Sequence, residues 1–509
     1  MASSGVINGS TVADGQADDK TVVITPEDQY GNSDSNSNSD AEKGQVVQDQ
    51  DPLDWDNNPH NPYNWPAWRK ALTIFALATM GLTISIATSI SSSSVTLLEE
   101  EFGVSRTVAL LPLTLYVIAL GIGPVLGGPL SETIGRYPVI MGGMTLGALF
   151  TLGAGFVHNF AALCLLRFLT GFFWAPVLAN APGSLSETFM SKSRGPVSAL
   201  FILTPFLGPG LGPVIGSFVS VDKGWRWTEW TMLFFAALSI GLGCTIGETF
   251  HPILKRRLAK KRGIQLPPLP PMSQRIRTFA VVAAIRPVRM LFTEPIVSFI
   301  CLYAAIDFGT LFSFFGGVPY TFGTVYQFTT DQSGLVFISI VIGCFLGLAT
   351  IMACEILLYR KQIPNYPPHR VPPEHRLYPA MLGSFGLPVG LFWFAWTARR
   401  DISWASPAAA IIPFAWGNLC VFVSTMQYTT DTFTGNVVAS ASSANSLARY
   451  GFAGVFPLFT IQMYTTLGIH WASSLLGFIA LVLIPIPWVL FKYGPRIRAK
   501  SKFETHKYE

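Results

Sequence analysis

The stretch Gly208-Pro-Gly-Leu-Gly212-Pro213-Val-Ile-Gly216 lies inside an apolar run that covers residues 196–219. Glycines at positions i, i+4 and i+8 share one face of a helix, and a face without side chains lets a neighbouring helix approach closely. Pro213 has no backbone N–H, so it permits a bend in such a helix. The run is long enough to cross the hydrocarbon layer, which needs about 20 mostly apolar residues. The stretch therefore predicts a membrane-spanning helix that packs tightly against a partner.

The composition of the whole chain also indicates a membrane protein. Of its 509 residues, 50% are apolar and only 12% are charged, and the mean hydropathy is +0.42. Apolar runs of about the required length recur in two sets of six. The runs are 71–93, 109–129, 138–156, 161–182, 196–219 and 230–248, and then 295–319, 335–358, 378–396, 407–428, 437–463 and 471–491. We expect an all-α integral membrane protein with twelve spans.

The distribution of charge predicts how the spans are connected and oriented. The first 60 residues hold twelve acids and few apolar residues, which is typical of a disordered tail. Basic residues dominate the loop between the two sets, so the positive-inside rule places that loop and both termini in the cytoplasm. The predicted parts are an acidic disordered cytoplasmic tail (1–65), a six-helix half (66–248), a basic cytoplasmic linker (249–294), a second six-helix half (295–491) and a basic cytoplasmic tail (492–509).

Several classes of function are disfavoured by what the sequence lacks. No basic stripe with interleaved aromatic residues suggests nucleic acid as a partner. The six cysteines lie in apolar runs without a C-x-x-C pair, so we expect no disulfide framework and no metal site. All seven histidines fall in tails or loops, and no H-x-x-x-H, G-x-S-x-G or P-loop pattern occurs. We therefore expect neither an enzyme nor a cofactor, although a receptor is not excluded.

Three motifs resemble those of the major facilitator superfamily. Gly128-Pro-Leu-Ser-Glu132-Thr-Ile-Gly135-Arg136 is similar to its G-x-L-x-D-R-x-G-R signature, with Glu132 in the Asp position and Thr133 replacing the first Arg. An acid and a base four residues apart at a helix end can lock against a neighbouring helix and release again. Leu165-Leu-Arg167-Phe-Leu-Thr-Gly171 resembles the motif of its fourth span. Gly208–Gly216 matches the G-x-x-x-G-P-x-x-G motif of its antiporters.

Other stretches narrow the resemblance to the twelve-span drug:proton antiporter family as found in fungi. They include Asp51-Pro through Asn64-Trp65, Gly224-Trp-Arg-Trp-Thr, Gly247-Glu-Thr, Pro373-Glu-His-Arg-Leu and Gly390-Leu-Phe-Trp-Phe-Ala-Trp. The resemblance implies two halves around a central cavity and proton-driven efflux of a drug, toxin or secondary metabolite. Organic acids and polyamines remain open as cargo, as does nutrient uptake by the same fold. It also implies a monomer in the plasma membrane or the vacuolar membrane, with protons, lipid and a small molecule as its partners.

The resemblance assigns roles to particular residues. Arg167 and Asp307 are the candidates for proton coupling or for lining the cavity. The candidates for conformational gating are Gly128, Glu132, Gly135, Arg136, Gly208, Gly212, Pro213 and Gly216. Asp307 lies at the midpoint of its run, where an ionisable residue indicates a function. Two alternatives stay open: Asp307 could bond the hydroxyl of Thr310 or Ser313, or it could pair with Arg167.

Cargo binding is the least defined part of the prediction. The aromatic candidates are Tyr116, Trp174, Phe308, Phe312, Phe315, Trp416 and Tyr428, with Trp393 as a further one. Gly316 stands where the family often has an acid, which argues for a neutral or anionic cargo. Arg449 lies deep in the eleventh run if that run begins at residue 437, but it is a snorkelling anchor if the run begins near 444.

Overall fold

The computed structural model describes residues 54–264, 285–366, 371–501 and residue 503, and over these ranges the chain is mainly helical. The first half contains α1 (Ala67–Ile86), α2 (Leu111–Ile134), α3 (Arg136–Phe156), α4 (Phe160–Thr188), α5 (Ser191–Lys223) and α6 (Arg226–Gly243). The second half contains α7 (Pro295–Tyr326), α8 (Ile338–Cys354), α9 (Tyr378–Thr397), α10 (Ala405–Thr432), α11 (Gly435–Leu483) and α12 (Pro485–Ala499). The prediction of an all-α membrane fold is confirmed.

Ten helical stretches of the described residues are long and apolar enough to cross a membrane. The last of them, Val437–Ala499, is interrupted at Gly468, where φ is 77° and ψ is 160°. A hydrogen bond of 2.9 Å between the hydroxyls of Tyr464 and Ser473 joins the two sides of this break. Helix α6 is not among the ten, and Arg226 and Glu229 in its first turn lower its hydropathy. The predicted number of twelve membrane spans is therefore reached only when α11 is divided at Gly468 and α6 is counted as a span.

Helix α1 ends at Ile86, earlier than the predicted end at residue 93. The chain bends through Ala87 and then forms a short 3-10 helix, Ile90–Ser94. The cause is a run of hydroxyl residues, since Ser and Thr side chains offer the backbone alternative hydrogen bonds. Thr88, for example, donates its hydroxyl to the carbonyl of Ser85 at 2.6 Å. The bend places Ala87 in the interior of the first half, where its carbonyl accepts a hydrogen bond from a buried side chain described below.

The two halves meet along two pairs of helices. On one side, α2 contacts α11, because a Cβ on Gly121 would lie 3.1 Å from Tyr450 Cβ. On the other side, α5 contacts α8, because a Cβ on Gly210 would lie 2.8 Å from Val341 Cγ2. Both contacts use a glycine, which lets the helix backbones approach closely. The seam between the halves thus runs between these two helix pairs.

An ordered segment precedes α1, where the sequence predicted a disordered tail at 1–65. Trp55 is 5% exposed and donates its indole N–H to His251 Nδ1 at 3.2 Å. Tyr63 donates its hydroxyl to the carbonyl of Ser186 at 3.2 Å. The prediction is therefore wrong for residues 54–65, because buried aromatic side chains hold them against the end of α4 and the helix that follows α6. Residues 1–53 lie outside the described residues.

The predicted basic linker and basic tail are partly helical. The linker at 249–294 contains the helices His251–Arg262 and Arg286–Thr293, and residues 265–284 lie outside the described residues. Helix α12 continues through Ala499, eight residues into the predicted tail at 492–509. Arg498 in this extension pairs with Glu374 at 2.7 Å, and both side chains are almost fully buried. This part of the tail belongs to the second half, because a buried ion pair attaches it there.

Replacing Trp55 tests whether the segment before α1 is part of the fold. Truncating a buried Trp to Ala typically costs about 3–5 kcal/mol, so we expect Trp55→Ala to lower the thermal unfolding midpoint of the purified protein clearly. Trp68→Ala is the matched control, because Trp68 is 66% exposed and should leave the midpoint almost unchanged. Equal midpoints for the two variants would show that the segment contributes nothing to stability.

Candidate functional site

A buried ion pair lies in the first half. Arg167 in α4 is fully buried, and its Nη1 lies 3.4 Å from Glu229 Oε2 in α6. Its Nη2 donates to the carbonyl of Ala87 at 3.1 Å and to the hydroxyl of Ser91. The guanidinium also lies 5.1 Å from the ring centre of Tyr116. The sequence predicted Arg167 but missed Glu229, which immediately precedes the predicted sixth run at 230–248.

Asp307 occupies a separate place in the second half. Its side chain is buried, and Oδ1 accepts a hydrogen bond of 2.8 Å from the amide of Asn418 in α10. Within the described residues, Oδ2 has no hydrogen-bond partner. Thr310 and Ser313 donate their hydroxyls to backbone carbonyls instead, so neither is the partner that the sequence suggested. No described ion pair or hydrogen bond joins Asp307 to Arg167, whose carboxylate partner is Glu229.

A second arginine lies among aromatic rings at the seam. Helix α11 begins at Gly435, so Arg449 is fourteen residues inside it and does not lie at a helix end. Its guanidinium carbon lies 4.6 Å from the ring centre of Phe308, 4.5 Å from that of Phe422 and 4.4 Å from that of Tyr450. This group of three rings is called the aromatic cage below. Since α11 begins before residue 444, Arg449 lies within the helix, which favours the first of the two interpretations of the sequence.

The other predicted aromatic residues are spread over the molecule. Phe308 belongs to the aromatic cage, and Phe312 and Phe315 follow it on α7 with ring centres 5.0 Å apart. Tyr116 donates its hydroxyl to the carbonyl of Ile84 at 2.8 Å and packs inside the first half. Among the predicted aromatic residues, Tyr116 therefore lies near Arg167 and Phe308 lies near Arg449. Phe312 and Phe315 follow Phe308 along α7.

Four aromatic candidates have no described contact with Arg167, Asp307 or Arg449. Trp174 donates to the carbonyl of Met144 in α3 at 3.1 Å, and Trp416 donates to Thr350 in α8 at 2.9 Å. Tyr428 belongs to a separate apolar cluster with Leu377 and Leu490. Trp393 is 41% exposed. These contacts hold helices of the same half together, so a cargo-binding role for these four residues stays a prediction without support from their packing.

Arg136 is the centre of a polar network at the start of α3. Its Nη2 pairs with Glu187 Oε1 at 3.0 Å, and its Nη1 donates to Ser131 and Asn180 at 3.0 and 3.2 Å. Its backbone N–H donates to Glu248 Oε1 at 3.0 Å. The carboxylate partner of Arg136 is thus Glu187 at the end of the neighbouring helix α4. The network joins α3 to α4 and to the chain that follows α6.

Gly135 is required at its position in this network. Its φ is 111°, a value that residues with a side chain rarely adopt, and a Cβ there would collide with the carboxylate of Glu248. Gly128 differs, because a Cβ at that position would meet nothing within 4 Å. Close packing therefore does not require a glycine at position 128, and the gating role of Gly128 stays a prediction.

The second half carries an equivalent network. Arg376, just before α9, pairs with Asp431 at the end of α10 at 2.8 Å and with Glu355 at the end of α8 at 3.0 Å. Arg136 likewise begins α3 and pairs with Glu187 at the end of α4. The two halves thus place the same kind of ion pair at the same end of the bundle. The sequence motif revealed only the first of them.

The glycine face of α5 packs against the end of α1. A Cβ on Gly212 would lie 2.9 Å from the carbonyl of Ile86 and would collide with the hydroxyl of Ser89. A Cβ on Gly208 or Gly216 would collide with Ser85 or Ile90 in the same way. The three glycines therefore leave room for the serine-rich end of α1.

Further along α5, the first half approaches the second. A Cβ on Gly334 would lie 2.9 Å from the carbonyl of Pro213. A cavity of about 190 Å³ opens here, at the end of the bundle away from Arg136, and Ser92, Arg106, Pro319 and Phe337 are among its lining residues. Helices of both halves line this cavity. In the described part of the chain, no cluster of three or more His, Cys, Asp or Glu side chains could hold a metal ion.

Two helical halves that meet along a seam, charged groups buried inside both halves and matching ion pairs at one end are features of a multi-pass membrane transport protein. Residues 75–457 match the sequence profile of the Major Facilitator Superfamily. The chain belongs to this superfamily, so the predicted family and the prediction of a transporter rather than an enzyme are confirmed.

Several characterised proteins are similar to this chain. Polyamine transporter 4 of Saccharomyces cerevisiae is 37% identical over 95% of this chain and 77% of its own length. The ascochitine biosynthesis cluster MFS transporter of Didymella fabae is 34% identical over 88% of both chains. Efflux pump FUB11 of Gibberella moniliformis is 35% identical over 86% of this chain and 75% of its own. These relatives support the superfamily assignment along most of the chain.

The fold is similar to that of a solved superfamily member. The proton:xylose symporter XylE, bound to 6-bromo-6-deoxy-D-glucose, superposes with a TM-score of 0.60 at 16% sequence identity. The match covers 84% of this chain and 96% of the symporter. At this level of identity the similarity concerns the fold alone.

Removing the carboxylate of Glu229 tests the buried ion pair. Breaking such a pair on one side typically costs about 3–5 kcal/mol, because it leaves the other charge buried and unpaired. We expect Glu229→Gln to lower the thermal unfolding midpoint strongly, and a double variant with Arg167→Met and Glu229→Met to regain most of the loss. Glu99→Gln is the matched control, since its pair with Arg106 is partly exposed and should contribute at most about 1 kcal/mol. A stable Glu229→Gln would contradict this assignment.

Enlarging Gly212 tests the glycine face of α5. Overpacking a tight contact costs about 1–3 kcal/mol, so Gly212→Leu should hold α5 away from α1 and disable transport while part of the protein still accumulates. Gly142→Leu is the control, because a Cβ added there would meet nothing within 4 Å. Transport is measured per amount of protein in the membrane. Equal rates for both variants would show that close packing at Gly212 is not needed.

Proposed function

We propose that the protein is a proton-driven antiporter that exports a small organic molecule, such as a secondary metabolite, a drug or a toxin. The observation that carries this proposal is the carboxyl group of Asp307. It is 3% exposed, it lies in the middle of a long helix, and Oδ2 has no hydrogen-bond partner among the described residues. Ionisable groups at such a depth are expensive and mark ion or proton pathways.

The surroundings of Asp307 suit a group that changes its charge during transport. When it is protonated, the carboxyl is nearly neutral and stays compatible with its apolar neighbours; when it is ionised, it needs a polar partner. Asn418 supplies one donor at 2.8 Å, which either form of the carboxyl can use. Arg167 is occupied by Glu229, so it leaves Asp307 free to take up and release a proton. Asp307 is therefore our candidate for the proton carrier.

The direction of transport is proposed from two further features. The glycine face of α5 packs against α1 and resembles the antiporter motif, and the relatives include proteins named as an efflux pump and as a biosynthesis cluster transporter. In alternating access, the halves would rock about the seam, while the pairs of Arg136 and Arg376 hold the helices within each half together at one end. We place that basic end and both termini in the cytoplasm and the protein in the plasma membrane, because basic residues favour the inner side.

Polyamine export is the second candidate function. It is favoured by one observation, the 37% identity to a protein named as a polyamine transporter. A polyamine is a flexible cation, and its binding site would need carboxylates exposed to the cargo. Among the described residues, Asp307 is a buried mid-helix carboxylate for which no ion pair is seen, so this candidate would use the same residue. Transport assays with labelled spermidine decide between the two cargo classes.

Replacing Asp307 tests proton coupling directly. Asp307→Asn keeps the shape and the contact to Asn418 but cannot exchange a proton. In reconstituted liposomes we expect it to retain exchange of cargo across the membrane without a gradient, and to lose accumulation driven by a pH gradient. Arg167→Ala should impair both, since it disrupts the first half. Asp401→Asn is the control, because the side chain of Asp401 is 71% exposed near the end of the bundle.

Normal gradient-driven accumulation by Asp307→Asn would rule out Asp307 as the proton carrier. Glu229, Glu132 and Glu355 would then be the next carboxylates to test. Absence of a pH effect on the unmodified protein, with cargo still exchanging, would exclude proton coupling and leave a facilitator. In both experiments the transport rate is normalised to the amount of folded protein in the liposomes.

A further inference from the structure

Arg449 differs from Arg136, Arg167 and Arg376 in how its charge is held. Arg136, Arg167 and Arg376 each pair with a carboxylate at 3.4 Å or less. Within the described residues, Arg449 has no ion pair, and its buried Nε has no hydrogen-bond acceptor. The residue as a whole is half-buried. The second half thus contains a cation without a counter-charge well inside a long helix.

The aromatic cage explains how such a cation is tolerated. Ring faces attract a guanidinium through their quadrupole, and three rings surround Arg449 with centres 4.4 to 4.6 Å away. This attraction stabilises the charge without neutralising it, because the rings carry no net charge. A carboxylate partner, such as Glu229 beside Arg167, would cancel the charge. The cage therefore keeps a positive group available to a ligand.

The cage lies at the seam between the halves. Phe206 of α5 contacts Phe308 and Phe422 with ring centres 5.4 and 4.9 Å apart, so the first half covers the cage from one side. Tyr450 packs against Gly121 of α2 from the other side. Because α5 and α2 belong to one half and the cage to the other, any rocking of the halves opens or closes access to Arg449. A ligand bound there would lie on the transport route.

A second polar group faces the same side of α11. Asn445 lies one turn before Arg449, and its amide N–H contacts Met426 Sδ at 3.2 Å, one turn after Phe422 on α10. Its Oδ1 has no hydrogen-bond partner among the described residues. A thioether is a weak acceptor, so the amide can turn its N–H groups to a better one. Together, the guanidinium fork and the amide offer several donors to one oxygen-bearing group.

We infer that Arg449, Asn445 and the aromatic cage form the cargo site, and that the cargo is an organic anion with an aromatic ring. The donors suit a carboxylate or a sulfonate, and the rings suit a planar apolar body. A cationic cargo, including a polyamine, would be repelled by the uncompensated charge of Arg449. This inference rests on the proposed transport of a small organic molecule and names its chemical class.

A set of matched probes tests the charge preference. The full chain is purified, and the binding of three compounds with one ring system is measured: 2-naphthalenesulfonate, the neutral 2-naphthalenesulfonamide and 2-naphthylmethylammonium. We expect the sulfonate to bind at least about tenfold tighter than the sulfonamide, as one charge-assisted contact should provide. The ammonium compound should bind most weakly. Equal or tighter binding of the sulfonamide or the ammonium compound, or no binding of the sulfonate to folded protein, would overturn the inference.

Variants of Arg449 test whether this residue causes the preference for the sulfonate. Arg449→Gln should abolish the preference for the sulfonate, and Arg449→Lys should keep its direction with weaker binding, because Lys keeps the charge but loses the planar fork. Arg399→Gln is the control, since the side chain of Arg399 is 50% exposed. Size-exclusion chromatography checks that each variant is folded. If Arg449→Gln does not fold, the Lys variant decides, and an unchanged affinity in a folded Arg449→Lys or Arg449→Gln overturns the assignment.

A transport assay separates this inference from the proposed function. The same three probes are offered to liposomes that contain the protein and an imposed pH gradient, with protein-free liposomes as the blank. Gradient-driven movement of the ammonium compound but not of the sulfonate leaves the antiporter proposal standing and overturns the anionic cargo. Selective binding of the sulfonate, lost in Arg449→Gln, without gradient-driven movement of any probe, supports the anion site and overturns proton-driven transport.

Discussion

The hydrocarbon layer contains no water, so each charged side chain inside the bundle must find its stabilisation within the protein. A single charge at the centre of a membrane helix costs about 2.5–3.5 kcal/mol on insertion scales. Arg167 meets this constraint with Glu229 and with the carbonyl that the bend after α1 provides. Asp307 meets it with the amide of Asn418. Arg449 meets it with the rings of Phe308, Phe422 and Tyr450.

The two halves differ in how their buried charges are stabilised. The pair of Arg167 and Glu229 ties α4 to α6 and makes the first half a stable unit. The pairs of Arg136 with Glu187 and of Arg376 with Asp431 hold the helices of each half together at the same end. Among the described residues, Asp307 and Arg449 are charged groups inside long helices for which no ion pair is seen, and both lie in the second half. The second half thus holds one such group of each sign.

The sequence predicted the helical membrane fold and the family because both depend on local patterns. Apolar runs, the basic linker and the glycine face of α5 can each be read within one segment. The partners of the buried charges could not be read in this way. Asn418 lies 111 residues from Asp307, and nothing in the spacing links them. Glu229 was missed because Arg226 and Glu229 itself lower the hydropathy of the first turn of α6, so the predicted run began one residue too late.

Two further features show where local patterns mislead. The segment 54–65 is polar enough to suggest disorder, but Trp55 and Tyr63 hold it against His251 and Ser186 through long-range contacts. The aromatic candidates were chosen from a chain that is 13% aromatic, and the packing separates Phe308 from Trp174, Trp416 and Tyr428. Composition cannot make that distinction, because it depends on which helices are neighbours.

The way the aromatic cage holds Arg449 has an evolutionary consequence. No described carboxylate depends on this arginine for its own compensation, so an uncharged residue of similar size would leave the neighbouring side chains satisfied and the rings packed. With Arg449 as the cargo-binding cation that we infer, one substitution would change the charge of the cargo without leaving a described carboxylate unpaired. At Arg167 the same substitution would leave Glu229 buried without its ion-pair partner, so we expect selection to remove such a variant. Within one lineage of related transporters, the charge class of the cargo can diverge while the scaffold is conserved.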